Sequence, residues 1–117
     1  MLEFYGYDGC DTCRKAKKWL DAQGIEFKSI PIVEKPPSAA LLKKVLKGDD
    51  YELKQLFNTS GQVYRQMKIK DKLGTMTEAA ALKLLSGNGK LCKRPIVTDG
   101  KNHTVGFKPE VFKRVWG

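Results

Sequence analysis

Leu2-Glu3-Phe4-Tyr5-Gly6-Tyr7-Asp8-Gly9-Cys10-Asp11-Thr12-Cys13-Arg14 is the stretch on which the reading of this sequence turns. Leu2 to Gly6 is a short apolar and aromatic run, and Tyr7-Asp8-Gly9 is a turn signal, so a buried strand is expected to run into a turn. A helix should follow at once. Cys13, Ala16, Leu20 and, offset by one, Trp19 recur at helical spacing, Arg14, Lys15, Lys17 and Lys18 fall on the outer face, and Gly24 stands where the helix would stop. Ile25 to Ile32 then alternates, Ile25 and Phe27 against Glu26 and Lys28, which reads as a second strand. Strand, helix and strand in about 30 residues make a βαβ unit with parallel strands and a right-handed crossover.

Outward from that unit the period changes. Pro36-Pro37-Ser38 is expected to break the strand and cap a helix carrying Leu41, Leu42, Val45 and Leu46, closed by Gly48. A second helix is expected from Tyr51 to Phe57, ending in Asn58-Thr59-Ser60-Gly61 before Val63 to Met67. Thr75 and Glu78 have capping-box spacing, and Ala81, Leu82 and Leu85 form the buried stripe of a further helix that Ser86-Gly87-Asn88-Gly89 ends. Strand signals then return. Arg94-Pro95 precedes Ile96-Val97-Thr98, Asp99-Gly100 sits in a turn, and His103 to Phe107 follows. Pro109 at a first helical position opens a terminal helix with Phe112, Val115 and Trp116 toward the core. The expected class is α/β in one domain, residues 1–117, with α/β parts over about 1–35 and 88–117 and an all-helical insert over about 36–87.

Chemistry concentrates at Cys10-Asp11-Thr12-Cys13-Arg14. A cysteine where a strand turns into a helix N-terminus sits among unpaired backbone N–H groups and the positive end of the helix dipole. That lowers its pKa and makes a nucleophilic thiolate. Cys13, one helical turn on, is placed to resolve an intermediate as an intramolecular disulfide. Two other readings of the pair stay open: inert thiols, and a metal site, for which zinc needs two more ligands while His103 and Cys92 offer no second pair. Arg94-Pro95 is the second constellation. If Pro95 packs beside the cysteine turn, the Arg94 guanidinium can lower the thiolate pKa and bind an oxyanion in bidentate fashion; otherwise Arg94 is a surface residue ahead of a turn. Cys92 reads as a small buried apolar residue, His103 as a surface residue, and Trp19 and Trp116 as core aromatics. Tyr64 and Arg65 are candidates to line the site from the insert.

The chain has 117 residues, with 22 Lys plus Arg against 13 Asp plus Glu, a formal charge of +9, and three Cys. A domain of this size buries enough surface to fold without staples, which leaves the cysteines for chemistry. There is no apolar run long enough for a membrane span, and Met1-Leu2-Glu3-Phe4-Tyr5 lacks the pattern of a signal peptide, so a cytoplasmic protein is expected, and at this length a monomer. In a reducing cytosol a close Cys pair reads as redox-active or metal-binding rather than as a staple. The charge favours acidic partners, yet the basic residues are scattered with no aromatic interleaving, and direct nucleic-acid binding is not expected.

Four motifs together carry a resemblance: Cys10-Xaa-Xaa-Cys13-Arg14, Asn58-Thr59-Ser60-Gly61-Xaa-Xaa-Tyr64-Arg65, Lys93-Arg94-Pro95-Ile96-Val97 and Val105-Gly106-Phe107-Lys108. In that order, over essentially the whole chain, they resemble the ArsC family, which includes glutaredoxin-linked arsenate reductases and the redox-sensing regulator Spx. The resemblance implies a thioredoxin-like, glutaredoxin-type mixed sheet flanked by helices, and a cis peptide before Pro95. It implies Cys10 as nucleophile, Cys13 and Arg94 beside it in the reaction, and Arg14, Asn58, Pro95 and Lys108 around the substrate. No bound cofactor is implied, and glutathione, thioredoxin or glutaredoxin is the reductant. Of three arginines that hold the oxyanion in the family's reductases, Arg94 alone has a counterpart; Asn58 and Lys108 stand in the other two places. Each lost charge-assisted contact is worth on the order of 1.5–3 kcal/mol, so efficient arsenate reduction is not expected. The reductases commonly lack the second cysteine, whereas the Spx branch has CxxC and touches the α-subunit of RNA polymerase, usually with a longer C-terminal tail than this chain. Two functions follow: a thiol oxidoreductase acting on a small oxyanion or thiol substrate, with a redox protein as possible partner, or a redox-sensing regulator without turnover.

Overall fold

A computed structural model describes residues 2–7, 9–48, 51–59 and 61–117; Asp8 and Ser60, both expected in turns, lie outside them. The chain divides into two compact units, Met1–Pro31 with Arg94–Gly117, and Ile32–Lys93.

The first unit holds a four-stranded mixed sheet in the order β2-β1-β3-β4, with β1 at Leu2–Gly6, β2 at Phe27–Pro31, β3 at Ile96–Thr98 and β4 at His103–Val105. β1 runs parallel to β2, pairing Phe4 with Ser29, and antiparallel to β3, pairing Phe4 with Val97. The expected βαβ unit is present, its helix α1 spanning Asp11–Ala22. Strand alternation decides what β1 buries: Leu2, Phe4 and Gly6 are enclosed, while Glu3 and Tyr5 are half-exposed. β3, a central strand, is enclosed at all three positions, so both faces of the sheet are covered there. β2 is an edge strand and starts later than the alternation suggests, with only Phe27 and Ile30 half-buried.

α1 lays Cys13, Ala16 and Leu20 on a core that includes Leu2, Phe4, Val97 and Phe112. The last helix of the chain, α6 at Pro109–Trp116 in chain-order numbering, starts with proline at its first turn as expected. Phe112 meets Phe107 and Trp19 edge-on, with centroids 4.8 and 5.5 Å apart. Such pairs add about 0.5–1.5 kcal/mol each beyond the area they bury. Trp116 donates its Nε1–H to Thr104 Oγ1 at 3.1 Å, so both tryptophans serve the core, as read. His103 differs from its reading as a surface residue. It is half-buried, and its Nδ1 lies 2.7 Å from Thr98 Oγ1 across the hairpin. Asp99 Oδ1 closes the hairpin by accepting from the Lys101 and Asn102 amides at 2.8 and 2.7 Å.

The second unit is built on short helices. Ser38 caps α2 (Ala39–Lys47), its hydroxyl accepting from the Leu41 amide at 3.1 Å, and Gly48 ends it, as expected. The helix expected over Tyr51 to Phe57 is a 3₁₀ turn at Leu53–Leu56. It stops because Phe57 turns extended and pairs with Cys92 in one antiparallel bridge, the Asn58 amide donating to Leu91 at 2.7 Å and the Lys93 amide to Leu56 at 2.8 Å. The bridge thus ties Phe57 of the insert expected over about 36–87 to Cys92, just beyond it. α3 (Gln62–Gln66) and α4 (Ile69–Leu73) follow, parted by Lys68 in the left-handed region at φ 54°. α5 spans Glu78–Gly87. Its cap is Thr77, accepting from the Ala80 amide at 3.1 Å, and not Thr75, whose hydroxyl donates back to the Lys72 carbonyl. Cys92 is fully buried, its thiol donating to the Leu85 carbonyl at 3.5 Å, in keeping with its reading as a small core residue. Gly89 has no alternative, because a Cβ there would run into the Ile32 carbonyl.

Candidate active site

The turn after β1 delivers Cys10 to the N-cap of α1 with extended backbone angles, φ −98° and ψ 117°. In that position a side chain faces the unpaired amides of the first helical turn. Serine or aspartate would accept from them with oxygen; here Cys10 Sγ accepts from the Cys13 amide at 3.3 Å. Cys10 is half-buried, and Cys13 is enclosed against β1 at 1% exposure. Gly6 makes that enclosure possible. A Cβ on Gly6 would stand 2.9 Å from Cys13 Sγ and 2.7 Å from the ring of Phe4.

The two thiols, both free, are driven apart in acidity. Burial pushes Cys10 up, but the Cys13 thiol and amide, the Arg94 charge and the Thr12 amide outweigh it, and its pKa falls below the ordinary value. Burial is also the largest influence on Cys13, and with the hydrogen bond to Cys10 and the repulsion of a neighbouring thiolate its pKa is pushed up to about 12. Of the two thiols, Cys10 is therefore the more acidic and Cys13, hydrogen-bonded to it, the one that keeps its proton to higher pH.

Arg94 reaches this pair from the loop ahead of β3, and the Arg94–Pro95 peptide is cis, as the resemblance implied. Pro95 is buried, its carbonyl accepting from the Gly106 amide at 2.9 Å. The guanidinium lies over the ring of Tyr7, 4.3 Å from its centroid. Cys10, Cys13, Arg94 and Pro95 therefore come together. Arg14, exposed on the first turn of α1, pairs with Asp11. Lys108 is exposed at the N-cap of α6, and Asn58 belongs to the second unit, beside the bridge to Cys92. In that unit Tyr64 is buried against Phe57, ring centroids 6.0 Å apart, and Arg65 is exposed. Two contributors escaped sequence reasoning. Tyr7 read only as part of a turn, and Gly6 only as the end of a strand; an aromatic three residues ahead of the first cysteine was the available signal for Tyr7. Among the described residues no cluster of His, Cys, Asp or Glu could hold a metal ion, and no helix is long and apolar enough to cross a membrane.

A sequence model described as the ArsC family matches residues 5–115. The chain belongs to the ArsC family. This ArsC protein is 49% identical over 115 residues to YusI of Bacillus subtilis, an uncharacterised protein, with 98% of each chain covered. It is 30% identical over 114 residues to the global transcriptional regulator Spx of Enterococcus faecalis, covering 97% of this chain and 85% of Spx. Among solved structures it resembles a possible arsenate reductase from Streptococcus mutans, with a TM-score of 0.88, 39% identity, and 97% and 98% of the two chains covered. The fold is thioredoxin-like, as the motifs implied. Relatives of this chain thus include a transcriptional regulator and a possible arsenate reductase, and the chain's own CxxC pair lies together in the fold.

Proposed function

We propose that this ArsC protein is an arsenate-reductase-like thiol–disulfide oxidoreductase whose nucleophile is Cys10 and whose resolving residue is Cys13. One observation carries the reading: Cys10 sits at the α1 N-cap with its thiol acidified, while Cys13 beside it is held protonated. Cys10 Sγ⁻ attacks one sulfur of a substrate disulfide; that S–S bond breaks, a thiolate leaves and takes up a proton, and a mixed disulfide forms on Cys10. Cys13 then gives up its proton and attacks Cys10 Sγ, expelling the second substrate thiolate. Two electrons have passed to the substrate, and the protein holds a Cys10–Cys13 disulfide. Two glutathione molecules, or one dithiol of a thioredoxin or glutaredoxin, return them in the reducing cytoplasm. Arg94 stabilises the Cys10 thiolate and attracts an anionic substrate. Asn58 and Lys108 in place of two arginines leave a single guanidinium fork for arsenate, so a thiol or disulfide suits this site better than that oxyanion.

The test is glutathione-dependent reduction of bis(2-hydroxyethyl) disulfide. The parent should turn over, and Cys10→Ser should lose turnover to the uncatalysed rate; unchanged turnover in that variant sinks the assignment. The likeness to Spx supports a second reading, a redox switch that binds the α-subunit of RNA polymerase when Cys10 and Cys13 are joined. Stoichiometric thiol oxidation without turnover, together with redox-dependent capture of the polymerase α-subunit, would decide for it.

A further inference from the structure

We propose that Tyr7 is the positioning residue for Arg94: its ring is the platform that holds the guanidinium beside Cys10. The inference rests on the reading of Cys10 as the reactive thiolate and adds a residue to that site. The guanidinium lies over the ring at 4.3 Å from the centroid, within the range at which a cation is drawn to an aromatic face. The same guanidinium acts on Cys10 through its charge, so one side chain touches the ring and influences the sulfur.

The ring lies against the turn that carries the nucleophile. Gly9 lies so close that a Cβ there would come within 2.8 Å of Tyr7 Cε2, and the Tyr7 carbonyl accepts the Cys10 amide at 3.3 Å, tying the platform to the nucleophile. Tyr7 is also the one large hydrophobic residue exposed among those described, at 36%. A ring kept at the surface gains little from burial, and its contact with Arg94 supplies a reason for its place. The charged and titratable groups that act on Cys10 among the described residues are the Cys13 thiol from α1 and Arg94 from the loop ahead of β3. Of these, Arg94, half-buried, is the one whose distance from Cys10 depends on a long side chain. Four rotatable bonds separate its guanidinium from the backbone, and stacking on a rigid ring removes that freedom.

The experiment measures alkylation of the reduced protein against pH, with the modified cysteine located by peptide mass spectrometry. Tyr7→Ala should raise the midpoint of Cys10 alkylation by about half a pH unit, read below the midpoint as a roughly threefold slower reaction with iodoacetamide. Tyr7→Phe keeps the ring and should retain the parent midpoint. The ratio of the iodoacetate rate to the iodoacetamide rate reports a positive charge near the sulfur, and it should fall in Tyr7→Ala but not in Tyr7→Phe. In an Arg94→Gln background Tyr7→Ala should have no further effect, because its action runs through Arg94. A Tyr7→Ala profile superimposable on the parent's, or the same shift with and without Arg94, overturns the inference while leaving Cys10 as the thiolate. A parent midpoint at the ordinary cysteine value removes the reading and the inference together.

Discussion

The opposed acidities of Cys10 and Cys13 have opposite consequences for stability. A thiol whose folded pKa is lowered stabilises the fold above its unfolded pKa, and that contribution is lost as pH falls through the folded value. Cys10 behaves this way. Cys13, raised from 9.0 to about 12, contributes stability that is present in full below the first value and lost as pH rises toward the second. Replacing the buried Cys13 by alanine should cost roughly 1–2 kcal/mol at neutral pH through lost packing. In urea titrations of reduced protein, that gap between parent and Cys13→Ala should narrow across the alkaline window; a constant gap would show that Cys13 ionises equally in both states. Gly6→Ala makes a sharper change, since its Cβ would meet both Cys13 Sγ and the buried Phe4 ring. Overpacking of this kind costs about 1–3 kcal/mol, and the urea midpoint should drop accordingly. The cysteines and Arg94 were legible as residues because their chemistry is local. Gly6 and Tyr7 were not, because one acts by lacking a side chain and the other through an arginine 87 positions away in sequence (94 minus 7).

At the scale of elements, periodicity was read well where an element has one wet and one dry face. α1 and α6 show their apolar stripes plainly, and the βαβ unit follows from turn signals on either side of α1. The stretch from Tyr51 to Met76 was read poorly, for a physical reason. Its elements run only four or five residues, too short for a helical period to repeat, and their limits are set by the Phe57–Cys92 bridge and by Lys68 in the left-handed region. Caps there are ambiguous by nature, as Thr75 and Thr77 are both threonines ahead of the same apolar run. Removing the Thr77 hydroxyl should therefore cost about 1 kcal/mol, and Thr75→Ala clearly less, when thermal unfolding of the two variants is compared. Equal losses would contradict the assignment of the cap.

At the scale of the molecule, the site-bearing unit is assembled from two distant segments, with β3 pairing against β1 and Phe112 completing the core that α1 covers. Phe112→Ala should cost about 3–5 kcal/mol, enough to threaten the whole unit. It should lower the urea midpoint and, by loosening the helix that carries Cys10, slow alkylation of that thiol at neutral pH.

The same assembly sets a schedule during synthesis. Cys10 precedes Arg94 by 84 positions (94 minus 10), which at roughly 5–20 residues per second is about 4–17 s of translation. Throughout that interval neither the guanidinium nor the β3 strand exists, so whatever the Arg94 charge adds to the acidity of Cys10 arrives only after the local contributions of Cys13 and Thr12 have long been made.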